Sequence, residues 1–547
     1  MMSLDRKRQR VANMTCRAGI LVALAAMASP TAAAGVSDDA VAAWHSSDAS
    51  DSAGKDEPAP KLAPEVLAFR KVVRRKDVAT FSAAALALRR YMIANDPHRP
   101  VYHFTGPESW INDTNGPIYH KGKYHLFYQY DPIVDGRRSK RCWGHAVSTD
   151  LVHWRDWPVA LWPDTKYDRN GVYSGNTAID EDGEPIALYT GNVRGHAETY
   201  GMLARSRDGL LTWEKKMVMA KPPYPGTPVH WDAQVWRDGG VWHQLIGGTK
   251  SGEGAANLWT STDLENWTFR KTIYSGPPGQ FWELPYLVPF GEKYALLLGV
   301  RGNPYWIGTY DRKAMTFTRD TPKLRHIDRG SYYAVNPHMV DDKGPGGSAR
   351  RILWAWVTGP PSPTKTVPYW QGVLPVPRVL TLAGGRLYQR PVPEIEVLRG
   401  KRKSFRNLAA TPQTSGVLDG AGGDALEIVA AFRPGSAKQF GLKVRVSPGG
   451  RRFLRVWYDT KTGTFGVAQN GPGGKGGVAG ELKPGQVVTL RVFVDRSVLE
   501  VFCNGNALTK RMFLPASDRG VAVFAQGGQC VAATLDVWRM ESAWPVP

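Results

Sequence analysis

The chain has 547 residues, enough for two or more domains, and 42 % of them are hydrophobic. Lys and Arg outnumber Asp and Glu by 70 to 49, a formal net charge of +21. The basic residues are scattered, with no recognition helix or basic stripe. That pattern speaks against nucleic-acid binding and for a solvated surface or adhesion to anionic cell surfaces. Fifty-eight Gly and 40 Pro demand many turns and favour an all-β chain.

The N-terminus reads as a secretory signal over residues 1–34. Arg6, Lys7, Arg8 and Arg10 form a basic start, Ala18 to Ala28 is apolar, and small residues follow at Ala32 to Ala34. The apolar run is too short to span a bilayer, and no other membrane segment stands out. A periplasmic or secreted protein is expected. Cys16 falls in the signal, which leaves Cys142, Cys503 and Cys530. An oxidising compartment permits a Cys503–Cys530 bridge, and two buried free thiols fit the sequence equally. No metal-ligand spacing is present, so no metal and no cofactor are expected. Gly35 to Pro60 has a linker composition. Helical periodicity then covers Pro64 to Lys76 and Phe81 to Ala94, a short helical N-terminal extension within residues 35–98.

From about Arg99 short apolar strands alternate with Gly, Asp and Asn turns, and a repeat emerges. Ser148-Thr149-Asp150-Leu151 leads to Trp154, and Ser206-Arg207-Asp208-Gly209 leads to Trp213. Ser261-Thr262-Asp263-Leu264 leads to Trp267, and Tyr310-Asp311-Arg312 leads to Phe317 in a weaker copy. A period of roughly 50–60 residues is near that of β-propeller blades. Four copies plus the region of Trp110 predict about five blades over 99–385. From about Ser404 strands continue at Leu426 to Phe432, Phe440 to Val446, Phe453 to Tyr458, Val487 to Val494 and Val498 to Phe502. These read as a β-sandwich over 404–547.

Within the first blade, Trp110 to Pro132 presents Asp113 in a polar turn, Asn112-Asp113-Thr114-Asn115-Gly116, before an aromatic strand from Tyr124 to Tyr130. Asp113 is either an Asx-turn carboxylate or a catalytic one with an aromatic floor. Two further carboxylates lie in aromatic surroundings, Asp232 in His230-Trp231-Asp232 and Glu283 in Phe281-Trp282-Glu283. Aromatic neighbours suit Glu283 to general acid work, because desolvation raises a carboxyl pKa. Carboxylates far apart in sequence meet in the central channel of a propeller. Hydrolysis of a glycosidic bond needs two across that bond.

These residues carry a resemblance to glycoside hydrolase family 32, the invertases, levanases and inulinases. Trp110, Asn112, Asp113, Asn115 and Gly116 resemble its nucleophile motif, with Thr114 where Pro is usual. The resemblance runs from about Arg99 to the C-terminus and implies a five-bladed β-propeller followed by a C-terminal β-sandwich. It implies that Asp113 is the nucleophile, Glu283 the acid/base and Asp232 the group that holds sugar hydroxyls. Leu284 replaces a usual Cys, and Trp231 replaces the Arg of an Arg-Asp-Pro element. Gln129, Trp143, Tyr173, Ser174 and Trp356 are similar to the family's sugar-binding positions. Residues 386–403 resemble its connecting segment, and Asp495-Arg496-Ser497 with Glu500-Val501-Phe502 resembles a structural motif of its sandwich.

The resemblance implies an exported retaining hydrolase that releases fructose from sucrose, levan or inulin, with a fructoside as its partner. A fructosyltransferase on the same scaffold, or a non-catalytic fructan-binding protein, are the alternatives. Trp231 is expected to line the sugar subsite, with His230 and Arg194 as candidate donors in place of the missing Arg.

Overall fold

The computed structural model describes residues 62–544, except 196, 221–230, 280, 415, 470–477 and 480–485. The signal and the linker read over 1–60 lie outside the described residues. Among the described residues no helix is long and apolar enough to cross a membrane.

Helix α1 (Pro64–Val72) has Pro in its first turn, where no amide donor is needed. Helix α2 (Val78–Asn95) is capped by Asp77, whose carboxylate accepts from the Thr80 N–H at 2.7 Å. Their apolar faces meet through Val66, Phe69, Phe81 and Leu88 and pack on Val357, Trp370 and Val498 of the main body. Polar pins hold the same seam. Arg70 makes a two-pronged bond to buried Glu108, and buried Arg89 pairs with Asp156 at 2.6 Å.

Five separate four- or five-stranded sheets follow between Ser109 and Pro391. One strand of each borders a shared polar knot, which marks the axis of the five sheets: β1 (Ser109–His120), β2 (Gly171–Ile179), β3 (Gln234–Asp238), β4 (Tyr286–Phe290) and β5 (Tyr332–Asn336). Side chains tie these strands together. The Asn176 amide on β2 donates to the Ala233 carbonyl (2.9 Å), just before β3, and to the Tyr286 hydroxyl on β4 (3.1 Å). The Asn336 amide on β5 donates to Asn176 Oδ1 and to the Thr114 carbonyl on β1 (2.9 Å). Both Asn residues are fully buried, so this knot is a satisfied polar plug across the axis.

Asn112 to Gly116 is not the turn expected from its composition. It lies inside the twelve-residue β1, which bends through register shifts at Ile111/Thr114 and Asn115/Ile118. Gly116 has φ 48°, and a Cβ there would stand 2.4 Å from the Thr177 amide of β2. The Asn, Asp and Gly content therefore serves a bulged strand and a close approach of two sheets.

The repeat marks the hairpin between the third and fourth strands from the axis. In the first copy Asp150 accepts from the N–H groups of Val152 and His153, and the Trp154 indole N–H donates to the Leu151 carbonyl at 3.1 Å. The third copy does the same with Asp263, Trp267 and Leu264. Leu151 and Leu264 share φ of 65° and 66°. The first copy belongs to the same sheet as Trp110, so adding the two counts that sheet twice. The fifth sheet carries no copy.

Arg386–Pro391, placed in the connecting segment by sequence, is the outermost strand of the fifth sheet. A six-stranded and a five-stranded sheet then enclose a core that includes Ile428, Phe432, Leu442, Val492 and Val523. Cys503 and Cys530 are free buried thiols. Their strands lie three positions apart in the six-stranded sheet, about 14 Å at ~4.8 Å per strand, too far for a bridge.

Asp495 and Glu500 weld the C-terminal sheets to the rest. Asp495 accepts from the backbone N–H groups of Val101, Tyr102 and His103, and the His103 ring spans Asp495 (2.9 Å) and Glu500 (3.0 Å). Glu500 also pairs with Arg378, which reaches Asp328. The motif is structural cement, buried except at Arg496, which is partly exposed.

Candidate active site

The N-terminal sides of β3 and β4 and the middle of β1 bring three carboxylates to one end of the axis. Asp113 stands on β1. Asp232 and Glu283 precede β3 and β4 by two and three residues. Asp232 and the Leu284 that follows Glu283 both have φ 47°, a left-handed conformation that costs side-chain-bearing residues about 1–3 kcal/mol. The surroundings hold that strain in place. The Asp232 N–H donates to Thr190 Oγ1 at 3.0 Å, and the Gly299 N–H donates to the Glu283 carbonyl at 3.0 Å.

Around Asp113 the hydrogen bonds form a chain. Gln129 Nε2 donates to Ser174 Oγ (2.7 Å), whose hydroxyl donates to Asp113 Oδ2 (2.9 Å). With its amide turned to satisfy its neighbours, Asn115 accepts from the Gln129 N–H and the Trp143 indole, each at 3.1 Å. Trp143 is fully buried and its indole also donates to the Tyr173 carbonyl at 3.0 Å. Expected from sequence as a sugar-binding residue, Trp143 instead lies beneath the floor and positions Tyr173. Both side-chain amide atoms of Asn112, and Gln129 Oε1, are buried without a partner among the described residues. Buried amides left so cost about 1–3 kcal/mol each, which is tolerable where a polar ligand completes them.

Glu283 accepts from the Tyr333 hydroxyl at 2.8 Å through Oε2. Burial, together with the Glu283 charge, pushes the Tyr333 phenol well above its ordinary value, so it remains a donor. Asp232 is also pushed well up, first by burial and then by the charges of Glu283 and Asp113. The charges of Glu283 and Asp113 thus both reach Asp232, and with burial they favour its protonated form in the free enzyme.

An aromatic rim surrounds them. Tyr333 meets Trp356 edge-on (6.3 Å between centroids), and Trp356 meets Trp110 (6.1 Å). The Arg141 guanidinium lies 4.2 Å from the Trp110 ring centre and 5.1 Å from that of Tyr173. Tyr173 meets Trp231 (5.7 Å), and Trp231 meets Phe281 (6.2 Å), two residues before Glu283. The rim therefore starts and ends at Glu283. Trp231 takes part in it while almost wholly buried.

Of the two donors considered beside Trp231, His230 lies outside the described residues. Arg194 is 74 % exposed and pairs with Glu198, so it is a surface group. The guanidinium in the rim belongs to Arg141, held at 3.5 Å by buried Asp131. Sequence reading passed over it because Arg137-Arg138-Ser139-Lys140-Arg141 looks like a solvated basic loop. Tyr333 carried no signal either. Among the described residues no group of three or more His, Cys, Asp or Glu side chains is arranged to hold a metal ion.

Three neighbouring carboxyl groups where the five sheets meet, ringed by aromatic side chains, are the equipment of a glycoside hydrolase. Residues 103–391 match the family model "Glycosyl hydrolases family 32 N-terminal domain", and residues 394–539 match "Glycosyl hydrolases family 32 C terminal". The chain belongs to glycoside hydrolase family 32. It is 32 % identical over 525 residues to a levanase of Bacillus subtilis (strain 168), covering 85 % of this chain and 73 % of the levanase. It is 31 % identical over 472 residues to a raffinose invertase of Escherichia coli, covering 81 % of this chain and 95 % of that one. Its fold is similar to that of fructan 1-exohydrolase IIa from Cichorium intybus, with a TM-score of 0.70 at 25 % identity. That likeness covers 82 % of this chain and 98 % of the exohydrolase.

Proposed function

We propose that this enzyme releases fructose from sucrose or fructans by double displacement, after export to the periplasm or beyond. Asp113 attacks the anomeric carbon, and the bond to the leaving oxygen breaks as Glu283 delivers its proton there. A fructosyl ester on Asp113 results. Glu283 then takes a proton from water, whose oxygen displaces Asp113 and frees fructose. Tyr333 holds one Glu283 oxygen and thereby orients the other towards this work. Asp232 binds fructosyl hydroxyls and steadies the positive charge of the transition state. The observation that carries the reading is the Gln129–Ser174–Asp113 chain beside the partnerless Asn112 amide. An oriented carboxylate next to buried donors and acceptors suits attack on a polyhydroxylated ring.

In this reading Arg141 replaces the guanidinium that the family places at Trp231. It stands against Tyr173, as Trp231 does, and offers its fork at the rim, while Trp231 supplies an apolar wall. The five sheets between Ser109 and Pro391 are the blades of one propeller, and the two C-terminal sheets form a sandwich, with their division after Pro391. Relatives named levanase and raffinose invertase support a fructoside substrate, and the basic, apolar and small-residue order of 1–34 supports export.

The test is Asp113→Asn, assayed for free fructose on sucrose, levan and inulin. Turnover is expected to fall by about 10⁴-fold or more, with the melting temperature little changed. Near-normal turnover on every substrate overturns the assignment. Product analysis at high sucrose separates water from sugar as acceptor: free fructose supports hydrolysis, and oligofructans support transfer.

A further inference from the structure

The axis of the five sheets has a second mouth. Asp238 on β3 lies six residues beyond Asp232, and Pro289 on β4 six beyond Glu283, so these strand ends lie up to roughly 20 Å beyond the carboxylates at ~3.3 Å per residue. The Asn176–Asn336–Tyr286 knot stands between the two ends. Beyond it lies a cavity of about 340 Å³, within the range of small-molecule sites and close to monosaccharide size.

Its lining is aromatic and cationic. Trp236, Tyr294 and Tyr310 contribute rings, and Arg237, Arg312 and Arg351 contribute guanidinium groups against the single carboxylate of Asp238. Arg237 is drawn outward to Glu181, and Arg312 bonds Asp238 (3.0 Å) and the Tyr294 hydroxyl. Arg351 differs from both. Among the described residues its guanidinium has one hydrogen bond, to the Pro337 carbonyl (2.8 Å), and no carboxylate pairs with it. Burial pushes its guanidinium down to about 10 with nothing opposing. The adjacent Arg350, by contrast, has both Asp341 and Glu394. The Tyr310 hydroxyl also lies buried without a partner among the described residues. His338 adds no charge, since burial lowers it to about 4.

We propose that this cavity is a second ligand site, for a monosaccharide-sized sugar bearing an anionic group. Arg351 receives the phosphate or carboxylate, the Tyr310 hydroxyl bonds the sugar, and Trp236 packs against its ring. The Asn176–Asn336–Tyr286 knot separates this mouth from the catalytic carboxylates, so the two sites are filled independently.

The probes are glucose 6-phosphate, galacturonate, glucose and inorganic phosphate. They are titrated into the full chain at low salt by calorimetry, with Trp fluorescence as a second readout. Glucose 6-phosphate, galacturonate or both are expected to bind at least tenfold more tightly than glucose and than inorganic phosphate. Which one binds identifies the source of the anion. Arg351→Met is expected to weaken that binding at least tenfold while sucrose hydrolysis stays unchanged, and Asp113→Asn is expected to leave it intact. Tyr310→Phe removes a hydroxyl only and is expected to weaken binding about threefold to tenfold, so the test stands if Arg351→Met fails to fold. No binding by either sugar anion at 10 mM (roughly the weak limit for small ligands) overturns the proposal. So does inorganic phosphate binding as well as glucose 6-phosphate, or binding lost in Asp113→Asn.

Discussion

Arg141→Met removes the one guanidinium of the rim while keeping a long apolar side chain. A charged hydrogen bond to substrate is worth about 1.5–3 kcal/mol, and stacking over Trp110 preorganises the fork at little further entropic cost. A loss of about 2–3 kcal/mol corresponds to a fall in kcat/KM of about 30- to 150-fold. The fructosyl hydroxyls are present in ground state and transition state alike, so most of the fall is expected in KM. Arg141→Lys keeps the charge, loses the planar fork, and is expected to recover only part of the activity. A structural cost accompanies the change, because buried Asp131 keeps only Arg138, at 3.8 Å. Initial rates of fructose release from sucrose and levan, with melting curves on the same samples, separate the two effects. The decisive variant is Trp231→Arg in the Arg141→Met background. If the two positions offer donors to the same hydroxyls, the double variant regains at least part of the lost kcat/KM. A kcat/KM within threefold of normal for Arg141→Met, with only the melting temperature lowered, refutes the reasoning and makes Arg141 a clamp for Asp131.

Three further outcomes are expected. Asp232 is pushed up by burial and by its acidic neighbours, so its folded form favours the proton; that contribution to stability is present at low pH and lost as pH rises through the folded value. Asp232→Asn is therefore expected to raise stability by about 1 kcal/mol near neutral pH, and less in acid, while abolishing turnover; urea melts at two pH values check it. His103 would be lowered by burial, but the hydrogen bonds that its ring donates to Asp495 and Glu500 outweigh that and raise it from 6.5 to about 9. Its stabilisation, of the order of 2–3 kcal/mol, is full below pH 6.5 and disappears as pH rises through about 9, and His103→Gln is expected to flatten that alkaline limb of the stability curve. Phe69→Ala empties a fully buried site against Phe81 and is expected to cost about 3–5 kcal/mol in urea unfolding; a loss below 1 kcal/mol would show that the helical extension is not part of the cooperative fold.

Apolar alternation and turn chemistry act over a few residues, and what they control was legible in the chain. The strands at Ala425–Arg433, Gln439–Val446, Val488–Asp495 and Val498–Cys503 lie within about a residue of the apolar runs that announce them. The Asp-to-Trp hairpins are local devices, readable because each Asp caps nearby amides, two and three residues on at Asp150 and Asp263 and three and four on at Asp208. Arg399–Ala410 escaped, because its mostly exposed strand carries Lys and Arg where an apolar face would normally betray it. The three carboxylates were recognisable from their neighbours. Their company was not: Ser174 lies 61 residues from Asp113, Tyr333 lies 50 from Glu283, and Arg141 reaches Trp110 and Tyr173 across two sheets. The same holds for the Asn176–Asn336 knot, 160 residues apart in sequence, that separates the two mouths. A polar or charged side chain costs free energy to bury unless it meets its partner, and only the closing of the five sheets brings those partners together.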